Sequence, residues 1–114
     1  MTADSVMASD LTVLECDRSL VRAAALSLVR EEDIARLRQI LAHTVNRWRL
    51  MPISREIVSR ARQPFPGEPI RSMDAIHLAS ALAAADSVPE VGLLSLDRRV
   101  RETGVRLGLR VVPD

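Results

Sequence analysis

Short apolar segments alternate with helical patterns along the whole chain, and this alternation restricts the fold more than any other feature. The strand-like segments are "SVMAS" at 5–9, "LMPIS" at 50–54, "VGLLSL" at 91–96 and "RVVP" at 110–113. Segments with helical spacing of their apolar residues lie between them. Strands that alternate with helices are typical of a parallel sheet covered by helices on both faces. We therefore predict an α/β fold.

The first two helices are predicted from their caps and apolar stripes. Ser9 or Asp10 can cap a helix that continues through "DLTVLECDRSLVRAAALSLV". The next helix is predicted over 31–50, where acids open "EEDIARLRQILAHTVNRWRL" and favour the positive end of the helix dipole. Its apolar residues form one stripe that ends at Trp48, so we expect this tryptophan to pack in the core.

The second half of the chain contains three more predicted helices. Ser54 is placed to cap a helix over 55–62, and the prolines of "QPFPGEP" then exclude helical structure. Ser72 is the expected N-cap of an apolar helix over "RSMDAIHLASALAAA". The last helix is expected over "RRVRETGVRLGL", with Gly108 placed to end it.

The totals are those of one small globular domain, and we expect a single domain over residues 1–114. The net charge of +1 does not indicate a nucleic-acid-binding protein, although all 16 basic residues are arginine. A genome rich in G and C would give the same arginine bias. The single cysteine, Cys16, and the lack of a signal peptide or an apolar span predict a cytoplasmic protein without a membrane segment. Trp48 and Phe65 are the only aromatic residues, which disfavours RNA recognition by base stacking.

Three isolated acids are predicted to lie at one edge of the sheet. Asp97 follows the strand "GLLSL", and Asp74 opens a helix that leads back into that strand. Glu15 lies within about two turns of the start of a helix that leaves another strand. Carboxylates brought together repel unless a cation is present, and oxygen ligands suit Mg²⁺ or Mn²⁺. Such an ion can activate water for attack on a phosphodiester.

Each of these acids also has a purely structural interpretation. Asp74 can stabilise the first turn of its helix, and Asp97 can act as an N-cap for the helix that starts at Arg98. Glu15 can be a solvated helix residue. His77 lies one turn beyond Asp74 among apolar residues, where a structural histidine is the preferred interpretation.

Three stretches of the chain resemble the PIN-domain nucleases, and most closely their VapC-type toxins. They are "SDLTVLECDRSLVRA", "IRSMDAIHLASALAAA" and "LLSLDRRVRETGVRLGL". The resemblance runs from about Ser5 to Pro113 and corresponds to the C-terminal two-thirds or so of a typical family member. It implies a PIN-like parallel sheet flanked by helices.

The resemblance also implies an activity and a site. Glu15, Asp74 and Asp97 match three of the family's four characteristic metal-binding acids. Independently of the resemblance, Arg98 and Arg99 lie next to Asp97, where each can contact a phosphate backbone or simply belong to a solvated helix face. The implied function is that of an endoribonuclease dependent on Mg²⁺ or Mn²⁺, in which water attacks the RNA. The resemblance also implies that a cognate antitoxin binds the protein and that the protein forms a homodimer.

One part of the family pattern has no counterpart in this sequence. Family members open with a central apolar strand that ends in Asp followed by Ser or Thr, whereas Asp4 precedes a strand and is assigned no metal role. The domain is therefore expected to be N-terminally incomplete. A start codon further upstream is the preferred explanation, and closure of the gap by the remaining strands or a decayed gene are the others.

Two other functions remain open from the sequence. The chain can be a catalytically inactive PIN remnant that binds the antitoxin or another protein, which the absent fourth acid favours. It can also be a small helical binding module in which the acids only cap helices.

Overall fold

The computed structural model describes residues 5–114, and Asp4 lies outside the described residues. Helices and parallel strands alternate along this part of the chain, which confirms the predicted α/β class. The elements, in chain order, are β1 Met7–Ser9, α1 Asp10–Ala25, α2 Glu31–Val45, β2 Arg49–Met51, α3 Arg55–Ala61, α4 Ser72–Ser87, β3 Gly92–Leu94, α5 Arg98–Arg106 and β4 Arg110–Val112.

The strands among residues 5–114 form two separate sheets of two strands each. β1 pairs with β2 in parallel and β3 pairs with β4 in parallel. The expectation of one parallel sheet is therefore corrected, because no hydrogen-bonded ladder extends either pair. The chain divides into two compact units, Met1–Pro52 and Ile53–Asp114, here called the first and the second unit. The prediction of a single, N-terminally incomplete domain stays a prediction.

In the first unit, a short parallel strand pair leads into a helical hairpin. Ser9, one of the two predicted candidates, is the N-cap of α1, and its Oγ accepts a hydrogen bond of 3.1 Å from the backbone N–H of Leu11. α1 packs against α2. Leu11 and Ile34 are the buried apolar side chains among the described residues of this unit. The core of the first unit is therefore small.

The predicted extent of α2 is wrong at its C-terminal end. The helix ends at Val45, so Trp48 lies in the turn before β2 and not on the helical stripe. The backbone N–H groups of Arg47 and Trp48 donate to the carbonyls of Thr44 and Val45, respectively. Each bond joins residues three apart, so the turn is tighter than a turn of an α-helix. Trp48 is half-buried in that turn.

The second unit contains a continuous hydrophobic core. α3 packs against α4, and α5 packs beside β4 and α4. Leu78 is completely buried at the centre of the core. The buried cluster consists of Ile57, Phe65, Ala75, Leu78, Ala79 and Val100.

Glycine allows α5 to lie close to the β3–β4 sheet. A Cβ at position 104 would lie 2.8 Å from Cδ2 of Leu93 and 3.1 Å from Cγ2 of Val111, so a larger residue would force these side chains to shift. Gly108, with φ of +81°, follows the C-cap Leu107 and ends α5 as predicted.

The helix starts of the second unit combine confirmed and corrected predictions. Ser54 caps α3, as expected, by accepting a hydrogen bond of 3.2 Å from the N–H of Ile57. The expected N-cap Ser72 is instead the first residue of α4, and Arg71 occupies the cap position without a side-chain hydrogen bond. The chain enters the helix one residue earlier than the serine suggested.

Candidate active site

Two of the three predicted acids lie in the second unit, at the starts of neighbouring helices. Asp74 is in the first turn of α4, and Asp97 is the N-cap of α5. α4 leads back into β3, and α5 leaves β3, so both helices start toward the carboxyl end of that strand.

A direct hydrogen bond joins the segments next to these two acids. Nη1 of Arg99, in the first turn of α5, donates to the backbone carbonyl of Pro69, which precedes α4, at 2.6 Å. Arg99 is close to Asp97 in sequence, and Pro69 is close to Asp74. The arginine therefore keeps the start of α5 beside the segment from which α4 begins.

Asp97 is held by its capping hydrogen bonds. Its Oδ1 accepts from the N–H of Val100 at 3.0 Å, and its own N–H donates to Oγ of Ser95 at 3.1 Å. The predicted capping role is thus present. The other carboxylate oxygen has no hydrogen-bond partner among residues 5–114 and is available to a ligand.

Asp74 is half-buried, and within the described part of the chain its carboxylate forms no hydrogen bond or ion pair. It lies where the partial positive charge of the helix start favours an anion. His77 is half-buried on the same helix.

Glu15 belongs to the first unit, where it is half-buried in α1. Its grouping with the two aspartates therefore stays a prediction. Within residues 5–114, no group of three or more His, Cys, Asp or Glu side chains stands ready to hold a metal ion.

Cys16 lies next to Glu15 on α1. Burial raises the pKa of its thiol above the ordinary value, and the carboxylates of Asp17 and Glu15 raise it further.

The donor set of the second unit nevertheless fits Mg²⁺. This ion is commonly held by one or two carboxylates, with water and substrate phosphates as its other ligands. Asp74 has a carboxylate without a partner, and Asp97 has one free carboxylate oxygen among the described residues. Oxygen donors without sulfur are the set that Mg²⁺ and Mn²⁺ prefer.

The two predicted RNA-binding arginines have different environments. Arg98 is exposed, and its Nε donates to Oε1 of Glu102 at 2.9 Å. Arg99 uses Nη1 to donate a hydrogen bond to the backbone carbonyl of Pro69. Thr103 and Arg106 were not predicted from the sequence, although their spacing from Arg99 along α5 places all three on one face of a helix.

None of the helices within residues 5–114 combines the length and the apolar character that a membrane crossing requires.

The described chain has a mixed α/β fold with five helices and short parallel strands, which is consistent with the PIN-like architecture.

Comparison with known proteins gives the family. The chain is 31% identical over 104 residues to Ribonuclease VapC35 of Mycobacterium tuberculosis, in both strain CDC 1551 / Oshkosh and strain ATCC 25618 / H37Rv. The match covers 91% of this chain and 69% of the relative. No family model matches the chain. No solved structure matches it either.

The chain therefore belongs to the VapC family of PIN-type toxins, whose function at the family level is that of a ribonuclease toxin.

Proposed function

We propose that this chain is an endoribonuclease that depends on a divalent metal ion and hydrolyses phosphodiester bonds of RNA. The observation that carries the proposal is its similarity to a ribonuclease over 104 residues. In a chain of 114 residues, a match of that length includes the positions of Glu15, Asp74 and Asp97.

The three acids are proposed to hold Mg²⁺ or Mn²⁺. A bound ion of this kind would activate water and offset the negative charge that develops on the phosphate. The hydrogen bond from the Val100 N–H to Oδ1 of Asp97 restricts the rotation of that carboxylate, so its second oxygen is held in place before a ligand binds.

The neighbouring arginines are proposed to contact the RNA backbone. Arg98 is exposed and paired with Glu102, so a phosphate can exchange with the carboxylate at little cost. Arg99 uses Nη1 on Pro69 and retains other N–H donors of its guanidinium group.

We further propose that the protein acts in the cytoplasm, that a cognate antitoxin inhibits it and that it forms a homodimer. The support for these three statements is membership of the VapC family. The alternative, an inactive PIN remnant that only binds a protein partner, draws on the absent fourth acid alone, and the similarity to a ribonuclease does not favour it.

Asp74→Asn tests the enzymatic proposal most directly. The variant keeps the size of the side chain and removes its charge, so we expect cleavage of single-stranded RNA in Mg²⁺ or Mn²⁺ to fall by at least about 100-fold. Rates are measured on the purified chain with a labelled oligoribonucleotide, and circular dichroism verifies that the variant is folded.

Asp86→Asn is the matched control. Asp86 is an exposed acid near the other end of the same helix, and its replacement changes the net charge equally. We expect this variant to cleave at the wild-type rate. Cleavage that persists in EDTA, or full activity of Asp74→Asn, would reject the metal-dependent mechanism.

A further inference from the structure

A small cavity lies in the second unit between the loop before α4 and the side of α5. Its volume is about 220 Å³, several times the roughly 30 Å³ that a water molecule takes up in the liquid. Gly67, Glu68 and Pro69 line it from the loop, and residues on one face of α5 line it from the helix.

The helical wall of the cavity contains a buried hydroxyl group without a partner. Thr103 is only 1% exposed, and its Oγ1 forms no hydrogen bond within the described chain. Buried polar groups are almost always hydrogen-bonded, since an unsatisfied one costs about 1–3 kcal/mol. A hydroxyl in this state in a cavity wall is completed by a water molecule or by a group of a bound ligand.

Gly67 brings the loop close to this hydroxyl. A Cβ at position 67 would lie 3.2 Å from Oγ1 of Thr103 and 3.9 Å from Nη1 of Arg106. The φ of Gly67 is +87°, which L residues rarely adopt. Because position 67 carries no side chain, the loop lies this close to Thr103 without placing a Cβ against its hydroxyl.

The charges around the cavity leave arginine donors free. Both carboxylate oxygens of Glu68 accept backbone hydrogen bonds, from the N–H groups of Phe65 and Ile70. Glu102 is paired with Arg98. Arg106, by contrast, is exposed and has no hydrogen-bond or ion-pair partner in the described part of the chain. The groups without any partner are therefore N–H and O–H donors, and the hydrogen-bonded carboxylate of Glu68 lines the cavity beside them.

We propose that this cavity binds a phosphate group of the RNA strand, with Arg106 and Arg99 donating to its oxygens and the Thr103 hydroxyl completing the set. Guanidinium groups bind phosphate through paired hydrogen bonds. Thr103 and Arg106 lie about 9 and 13.5 Å along the helix from Asp97, at about 1.5 Å per residue. The cavity thus takes a phosphate neighbouring the one that is cleaved, and this inference rests on the proposed ribonuclease function.

The test measures RNA affinity without cleavage. A labelled single-stranded oligoribonucleotide is titrated with the full chain in EDTA, at several salt concentrations. Arg106→Gln is expected to weaken binding about five- to tenfold and to lower the slope of log affinity against log salt by about one phosphate contact. Arg62→Gln, the same change at the exposed C-cap of α3, is expected to alter affinity less than twofold.

Thr103→Val separates ligand binding from a structural role. The variant keeps the shape and removes the unsatisfied hydroxyl, so its unfolding midpoint is expected to be equal to or above that of the wild type. RNA affinity is nevertheless expected to fall about threefold. If RNA affinity is unchanged in both Thr103→Val and Arg106→Gln, the phosphate site is wrong.

Two further outcomes keep this inference distinct from the proposed function. If the wild type does not cleave RNA but Arg106→Gln still weakens RNA binding relative to Arg62→Gln, the phosphate site stands and the ribonuclease proposal falls. If inorganic phosphate binds in an Arg106-dependent manner while RNA affinity does not depend on Arg106, the cavity takes free phosphate and the RNA site is overturned.

Discussion

The two units of this protein are stabilised to different degrees by their own cores. The second unit has a cluster of six buried apolar residues, with Leu78 at 0% exposure. In the described part of the first unit, Leu11 and Ile34 are the buried apolar side chains, at 5% and 7% exposure. Several large apolar side chains of its helices and the following turn are more than half exposed, namely Leu14, Leu26, Leu28 and Ile40.

This difference indicates how each unit keeps its fold. Besides the β1–β2 pairing and the packing of α1 on α2, the first unit has local interactions such as the Ser9 cap and the acids that open α2. The second unit adds burial of apolar surface, which contributes about 25 cal/mol per Å². The two aspartates of the candidate site lie on the better-packed unit, which suits groups that must be held in place.

The largest expected effect contrasts the two cores directly. Leu78→Ala removes a fully buried side chain, so the free energy of unfolding is expected to fall by about 4 kcal/mol. Ile34→Ala, in the first unit, is expected to cost about 2 kcal/mol because fewer buried neighbours surround the cavity. Urea unfolding followed by circular dichroism measures both values. Equal losses would contradict the contrast between the units.

Helix caps are expected to contribute equally in both units, because a cap acts locally. Ser9→Ala and Asp97→Ala each remove a side-chain acceptor from a helix start, and each is expected to lower the free energy of unfolding by about 1 kcal/mol. The same denaturation experiment applies. A loss confined to one unit would show that the caps depend on the cores.

Asn at position 97 separates capping from catalysis. Asp97→Asn retains a good N-cap residue, so its stability is expected to stay within about 0.5 kcal/mol of the wild type. Its RNA cleavage is expected to fall at least about 100-fold, since the charge that would face the metal ion is gone. Wild-type cleavage by a stable Asp97→Asn protein would leave Asp97 as a cap alone.

The smallest expected effect concerns Cys16 in the first unit. The pKa of its thiol is raised by burial, then by Asp17 and by Glu15, so the thiolate forms at higher pH than in an unfolded chain. Alkylation by iodoacetamide at pH 8 is expected to be several-fold slower than in urea, and Asp17→Asn to make it faster. The stability linked to this group is present below the unfolded pKa and is lost as pH rises through the folded pKa. Equal alkylation rates would mean that α1 does not shield the thiol.

Features that depend on neighbours within one helical turn could be read from the sequence. The caps at Ser9, Ser54 and Asp97 and the stop at Gly108 were predicted correctly, because a serine or aspartate oxygen meets a backbone N–H two or three residues away whatever the rest of the chain does. The α/β class and the family resemblance also followed from the sequence.

Features that join distant segments were decided only by the tertiary structure. The separation of the strands into two pairs and the hydrogen bond from Arg99 to Pro69 have no local signal. The cavity around Thr103 is of the same kind, since a loop glycine and a helix far along the chain form it together. Periodicity and capping report which residues share a helix face, whereas only the folded chain determines which faces meet.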